Sequence, residues 1–283
     1  MLKIAVTGAS GFIGRHVLVA LSPFQVEVIA VVRDKSKLAE SERLKVVELD
    51  ISNSHPDDYE RIGKPHILIH LAWQGLPNYK SLHHFESELP IQYKFLKGVI
   101  SGGLPSLLVV GSSLEYGLQS GMLSEWITPC PCTTYGYAKY ALSKQLAFLQ
   151  RDYVFSLTWA RLFYMYGDGQ PKSSLLSQLS EAISRNDEVF DMSGGEQLRD
   201  YLHVSNVARL IVRLALKSQN LGVVNTCSGK PTSVRNLVED WLKSHNCNIK
   251  LNIGVYPYLD YEPMAFWGDN SKLKGILNIE SAD

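Results

Sequence analysis

Two kinds of hydrophobic pattern alternate along the chain. Leu2–Val6, Val26–Val32, Val46–Leu49, His66–Leu71, Leu107–Val110 and Phe155–Ala160 are short, β-rich and apolar almost throughout, as strands buried on both faces are. Between them, Ile13–Leu21, Glu86–Val99 and Tyr135–Arg151 repeat apolar residues at helical spacing. Strands alternating with helices predict an α/β fold, a doubly wound parallel sheet with helices on both faces. In such sheets ligands collect beyond the carboxyl ends of the strands. After residue 165 the texture changes. Gly167-Asp168-Gly169-Gln170-Pro171 breaks the pattern, and helices are expected near Ser174–Ser184 and Asn206–Lys217 around a turn at Gly194-Gly195. The expected division is a sheet domain at 1–165, joined by part of 200–228, and a smaller lobe at 166–283.

The first strand runs into VTGASGFIGRHV, residues 6–17. Gly8, Gly11 and Gly14 recur every three residues, each removing a Cβ where the chain turns sharply, meets a ligand or packs a helix on a strand. The helix that follows presents free N–H groups and the positive end of its dipole, where a pyrophosphate would sit. Strand, glycine turn and helix together are the context this motif requires.

Composition narrows the class. Apolar residues make up 45% of the 283, enough for a proper core. Lys plus Arg and Asp plus Glu total 28 each. That balance argues against a nucleic-acid or anionic-membrane partner, which calls for a basic excess. No apolar run reaches the roughly 18 residues of a membrane span. Cys130, Cys132, Cys227 and Cys247 do not form a disulfide framework, and Cys130-Pro-Cys132 has the wrong spacing for a CxxC redox or zinc site. No metal site is expected. With a strand starting at Leu2 there is no room for a signal peptide, so a cytoplasmic protein with reduced thiols is expected.

Tyr135 and Lys139 stand four apart in TTYGYAKYALSKQLAF, on one face of a helix. A tyrosine titrates near pH ~10. An adjacent ammonium would favour the phenolate and lower that value, letting the phenol exchange a proton with a substrate oxygen. Tyr140 and Lys144 repeat the spacing, and the Tyr-Gly start at the helix mouth favours the first pair. Ser112 and Ser113 follow the fifth strand, where a hydroxyl could hydrogen-bond the reacting oxygen or merely cap a turn.

These segments resemble an extended short-chain dehydrogenase/reductase of the sugar-nucleotide epimerase/dehydratase group. TGASGFIG matches that family's TGxxGxxG turn, and LIHLAW (68–73) its strand end, with Trp73 in place of a second alanine. GSSLEYG (111–117), YGYAK (135–139), ARLFYMYGDGQ (160–170) and RDYLHVSNVA (199–208) resemble its serine, catalytic, substrate and phosphate segments. The resemblance implies a Rossmann-type sheet with a smaller C-terminal substrate lobe, NAD(H) or NADP(H) as cofactor, a nucleotide-sugar substrate and a homodimer. It implies Tyr135 as acid/base, with Lys139 holding the nicotinamide ribose and tuning Tyr135. Ser112, rather than Ser113, would bind the sugar oxygen. Gly8, Gly11, Phe12, Ile13 and Gly14 would line the pyrophosphate. Asp50 and Ile51 would meet the adenine, and Leu71, Ala72 and Trp73 would border the cofactor. Ser113, Tyr164 and Trp73 would shape the sugar pocket, and Arg199 would pair with the substrate phosphates.

The family's NAD-selective members carry a carboxylate at the end of the second strand, whereas Val32 stands there, followed by Arg33, Asp34, Lys35, Ser36 and Lys37. An arginine would bind a 2′-phosphate that a carboxylate repels, so NADP(H) is favoured over NAD(H). Dehydratases of the family carry Asp and Glu where Ser113 and Leu114 stand, which argues against elimination of water. The expected reaction is NADPH-dependent reduction of the C4 keto group of a nucleotide-linked 4-keto-6-deoxy sugar. An NAD-dependent 4-epimerase is the alternative. Outside that class stand a reductase of non-sugar carbonyls and a non-catalytic dinucleotide sensor, though a sensor has no need of Ser112, Tyr135 and Lys139 together.

Overall fold

The six apolar runs all enter one parallel sheet, and a seventh strand joins it from the C-terminal third. The computed structural model describes residues 1–280. In chain order its elements are β1 (Leu2–Thr7), α1 (Phe12–Leu21), β2 (Val26–Val32), β3 (Leu44–Glu48), α2 (Asp58–Arg61), β4 (Ile67–His70), α3 (Leu89–Ser101), β5 (Ser106–Ser112), β6 (Gly121–Leu123), α4 (Thr134–Leu149) and β7 (Ser156–Leu162). The later ones are β8 (Tyr164–Tyr166), α5 (Leu175–Ser184), β9 (Val189–Met192), β10 (Leu198–His203), α6 (Val204–Leu216), β11 (Gly222–Thr226), β12 (Pro231–Ser233), α7 (Val234–Ser244), β13 (Lys250–Ile253), β14 (Phe266–Gly268) and α8 (Ser271–Leu277).

The sheet runs β11-β7-β5-β4-β1-β2-β3, every pair parallel. This is the Rossmann-type doubly wound order, and it reverses between β1 and β4. Alternate residues of each strand feed two cores. Ile4, Val6 and Ile69 pack with Val17 of α1 and Ala208 and Ile211 of α6. Ala5, Leu68 and Val109 pack on the other face with Phe95 and Leu96 of α3 and Leu142 and Leu146 of α4. Apolar side chains on both faces explain the unbroken strand pattern.

α6 and β11 return to this sheet, so residues beyond 200 complete it. Helix α8 packs there too, through Leu273 and Leu277. Helices α5 and α7 and the strands around them form a smaller lobe with its own core, built from Leu176, Leu179, Phe190, Met192, Val234 and Val238. Its strands are short, in a three-stranded sheet β12-β10-β8 and the pairs β13-β9 and β14-β6. The sequence pattern marks none of these strands, because runs of three to six residues carry too little periodicity, and it also leaves out α7, eleven residues long. The segment expected as one helix at 86–99 is a π-helical turn, His84–Glu88, leading into α3. Pro90 lies in the first turn of α3, where its missing N–H costs no helical bond. Among the described residues no helix is long and apolar enough to cross a membrane.

Candidate active site

Because the sheet is parallel, the carboxyl ends of its strands share one edge. Gly8, Arg33, Asp50, Leu71, Ser112 and Tyr164 all fall at or just beyond those ends. The glycine turn follows β1 at the point where the strand order reverses. Gly8 has φ +67°, and a Cβ there would lie 2.9 Å from the backbone N of Ala72. A Cβ on Gly14 would overlap the carbonyl oxygen of Gly8. Gly11 starts α1 without a side-chain cap, so among the described residues the first-turn amides of Phe12, Ile13 and Gly14 have no side-chain acceptor. These backbones close on each other as only glycine allows, and they leave a helix N-terminus facing the crevice. That arrangement fits a dinucleotide pyrophosphate.

A buried polar chain holds the end of β4 beside this turn. The Thr7 hydroxyl hydrogen-bonds His70 Nδ1 at 2.8 Å and accepts the Leu71 N–H at 3.2 Å. His70 Nε2 pairs with Gln92 Oε1 at 2.5 Å. The Gln92 amide donates to the Ala72 carbonyl at 3.1 Å and to Glu88 at 2.7 Å. Burial pushes the His70 imidazole down to about 3, so it is neutral and can donate from one nitrogen while accepting at the other. This chain fixes the backbone of Leu71, Ala72 and Trp73.

Ser112 ends β5 and caps the 3-10 turn Ser113–Glu115. Its hydroxyl accepts the Leu114 N–H at 3.2 Å, while Glu115 Oε1 accepts the Ser112 N–H at 2.8 Å. Glu115 is fully buried and also takes Trp159 Nε1 at 2.9 Å and Arg161 Nη2 at 2.7 Å. Ser113 is buried beside it. Helix α4 lies against this turn because Gly136 has no side chain. A Cβ there would run into the Leu114 carbonyl. The close approach brings Tyr135 to the serine.

Tyr135 and Lys139 are both buried, whereas Lys144 of the competing pair is exposed. The Tyr135 ring is walled by Trp73, Tyr79 and His84 at centroid distances of 5.7, 5.4 and 5.2 Å. Lys139 Nζ donates to the Val110 carbonyl at 2.9 Å and lies 3.9 Å from the centre of the Trp73 ring. The expectation that Lys139 lowers the Tyr135 value is not met in this state. Burial pushes the phenol well above its ordinary range, with the neighbouring Tyr79 and the Glu115 carboxylate adding to that direction and the Ser112 hydroxyl opposing it. Nζ is 5.9 Å from the Tyr135 ring centre, and burial lowers Lys139 itself to about 7.

At the far end of the crevice Arg33 is exposed and has no partner among the described residues. The Asp34 carboxylate is turned into its own loop, accepting the Ser36 N–H at 3.0 Å and hydroxyl at 2.6 Å. Asp50 caps the turn Ile51–Asn53 through the Ser52 N–H, with Ile51 buried beneath it. In the smaller lobe Arg199 is buried rather than a surface residue. Its guanidinium pairs with Glu262 at 3.0 Å and lies 4.6 Å over the Phe266 ring. The other Glu262 oxygen accepts the Tyr164 hydroxyl. The cation expected to be free for a phosphate is already paired inside the protein.

The sequence of residues 4–227 matches the profile of the NAD dependent epimerase/dehydratase family. The chain belongs to that family. The dTDP-6-deoxy-L-talose 4-dehydrogenase (NAD(+)) of Aggregatibacter actinomycetemcomitans is 30% identical over 273 residues, 94% of this chain and 99% of that protein. The dTDP-6-deoxy-L-talose 4-dehydrogenase (NAD(P)(+)) of Kitasatospora kifunensis is 26% identical over 84% of this chain and 77% of its own length. Among solved structures, MoeE5 in complex with UDP-glucuronic acid and NAD superposes with a TM-score of 0.83 at 27% identity, covering 99% of this chain and 93% of that one.

Several residues of the candidate site carry no signal that the sequence reading uses, Glu115, Arg161 and Glu262 among them. Glu115 lies in the short turn after β5, whereas Arg161 is a charge inside the apolar strand β7, and a charge in a buried strand needs a partner. That signal was present in ARLF, but nothing in the sequence paired it with Glu115. Glu262 lies in a loop of 261–264 whose contact with Arg199 depends on how the smaller lobe folds back.

Proposed function

We propose that the protein interconverts the C4 carbonyl and C4 hydroxyl of a nucleotide-linked 6-deoxy sugar. Reduction of the 4-keto form is the direction favoured, with NADP(H) accepted through Arg33. The observation carrying this reading is the convergence of Ser112, Tyr135 and Lys139 at one end of a glycine-lined crevice. The 4-dehydrogenase relatives support it, since oxidation at C4 is the same step run backward. The nicotinamide, when bound, supplies or accepts the hydride at C4.

The chain's own residues handle the oxygen and its proton. The Ser112 hydroxyl donates a hydrogen bond to the C4 oxygen. As the carbonyl gains the hydride and becomes an alkoxide, the Tyr135 phenol gives it a proton, and solvent later restores the phenol. A phenol held neutral by burial suits this donor role. An ammonium on Lys139 steadies the transient phenolate once it forms. Leu114, at the position where dehydratases hold an acid or base, offers no proton chemistry. Arg199 reaches a substrate diphosphate only by sharing or leaving Glu262.

The test is absorbance of the reduced nicotinamide with NADPH, then NADH, against GDP-, CDP-, UDP- and dTDP-4-keto-6-deoxy sugars. Stoichiometric consumption supports the ketoreductase. Product formation without net consumption indicates a 4-epimerase, because an epimerase returns its hydride.

A further inference from the structure

The indole of Trp73 is held in place by a short hydrogen-bonded chain. Its Nε1 donates to His84 Nδ1 at 3.2 Å, and His84 Nε2 donates to the Asn78 carbonyl at 2.9 Å. Burial holds His84 below its ordinary value, so the neutral ring can serve as that acceptor. The Trp73 ring also meets Tyr135 edge-on, with planes at 82°. Against its face sits Lys139 Nζ, 3.9 Å from the ring centre.

Lys139 needs that face. An ammonium carries three N–H donors, and among the described residues only the Val110 carbonyl accepts one. A buried cation with a single acceptor is costly, and an indole face is the strongest aromatic partner for it. The groups facing Lys139 from neighbouring elements are Glu115 and Glu88, which favour its charge. His70, His84 and Tyr135 are held neutral by burial. Neither carboxylate makes a direct ion pair with Lys139 among the described residues.

We propose that Trp73 is a positioning residue for Lys139, its anchored indole face keeping the side chain charged and seated beside Tyr135. The proposal rests on the reading of Lys139 and Tyr135 given above. The ring acts on the proton chemistry through the lysine and touches no reacting atom.

The test uses the whole protein with Trp73→Phe, Trp73→Leu and Lys139→Met. The first measurement is the ultraviolet difference spectrum of the indole without cofactor, from pH about 6 to about 9, the span around a buried lysine's titration. The wild type is expected to show one step as the cation leaves the ring, absent in Lys139→Met and in Trp73→Leu. A step of equal size in Lys139→Met overturns the proposal, whether or not any sugar nucleotide is turned over. The second measurement is kcat against pH. Trp73→Leu is expected to lower kcat about tenfold and move the basic limb to lower pH, and Trp73→Phe to recover most of both. Equal losses in the two variants, with the limb unmoved, overturn it. A wild type without C4 oxidoreduction defeats the functional reading alone, and the indole titration then decides the proposal.

Discussion

Glu115 accepts the backbone N–H of Ser112 at 2.8 Å while its second oxygen holds the Arg161 guanidinium. The serine expected to touch the sugar oxygen is therefore positioned by a buried ion pair, Glu115 fully covered and Arg161 2% exposed. Removing one member leaves the other as an uncompensated buried charge. Glu115→Ala is expected to cost about 3–5 kcal/mol in urea unfolding and to lower kcat as Ser112 loses its anchor. The apolar double variant Glu115→Leu with Arg161→Met should recover much of the stability and little of the kcat. Recovery of both together would mean that Ser112 does not depend on this anchor.

Tyr135→Phe keeps the ring among Trp73, Tyr79 and His84 and removes only the hydroxyl. Turnover should fall by roughly 10²–10⁴-fold, the range of general acid catalysis. NADPH affinity, followed by fluorescence, should stay within about twofold, because the glycine turn that holds the pyrophosphate is untouched. Wild-type turnover in this variant would remove Tyr135 from the mechanism.

Gly8→Ala tests the cradle. Its φ of +67° and the Ala72 backbone at 2.9 Å leave no room for a methyl group. The left-handed conformation alone costs an L-residue about 1–2 kcal/mol, and the clash must push β1 from the loop after β4. The expected outcome is a lower melting temperature and NADPH binding weakened more than about tenfold. Unchanged binding would place the dinucleotide elsewhere.

The sheet, its helices and the glycine turn were legible because strong periods and a glycine spacing are local signals. Ser112, Tyr135 and Lys139 were legible as motifs, but their electrostatics were not. Four residues along a helix put Tyr135 and Lys139 on one face, yet the Trp73 ring, arriving from the loop after β4, takes up the ammonium instead. Arg199 shows the same limit. RDYLHV marks the residue, but Glu262, 63 positions later, decides how much of its charge is free. Long-range pairs of this kind follow from how loops fold back, which no short window contains.

Arg33 is exposed beyond β2 and has no partner among the described residues, with the neighbouring Asp34 carboxylate satisfied by Ser36. A 2′-phosphate would meet a free cation there. Arg33→Ala is expected to raise the KM for NADPH by roughly 10–100-fold, the loss of a charge-assisted contact, and to leave NADH within about twofold. Equal changes for the two cofactors would show that Arg33 does not read the phosphate.

His70 makes the fold sensitive to acid. Burial lowers its value to about 3, against about 6.5 for an unfolded chain. Between those values the unfolded chain binds a proton that the folded protein refuses, so stability is full above about pH 6.5 and falls as pH drops toward 3. The slope is about 1.4 kcal/mol per pH unit, or about 2 kcal/mol between pH 6.5 and 5. Protonation would also turn Nδ1 into a donor, with Thr7 still bound to it and the Leu71 N–H already on the Thr7 oxygen. Urea unfolding at several pH values, for wild type and His70→Asn, isolates this contribution. The wild type should lose about 2 kcal/mol more than the variant over that interval. Parallel curves would mean that the buried ring takes up its proton as readily as an exposed one.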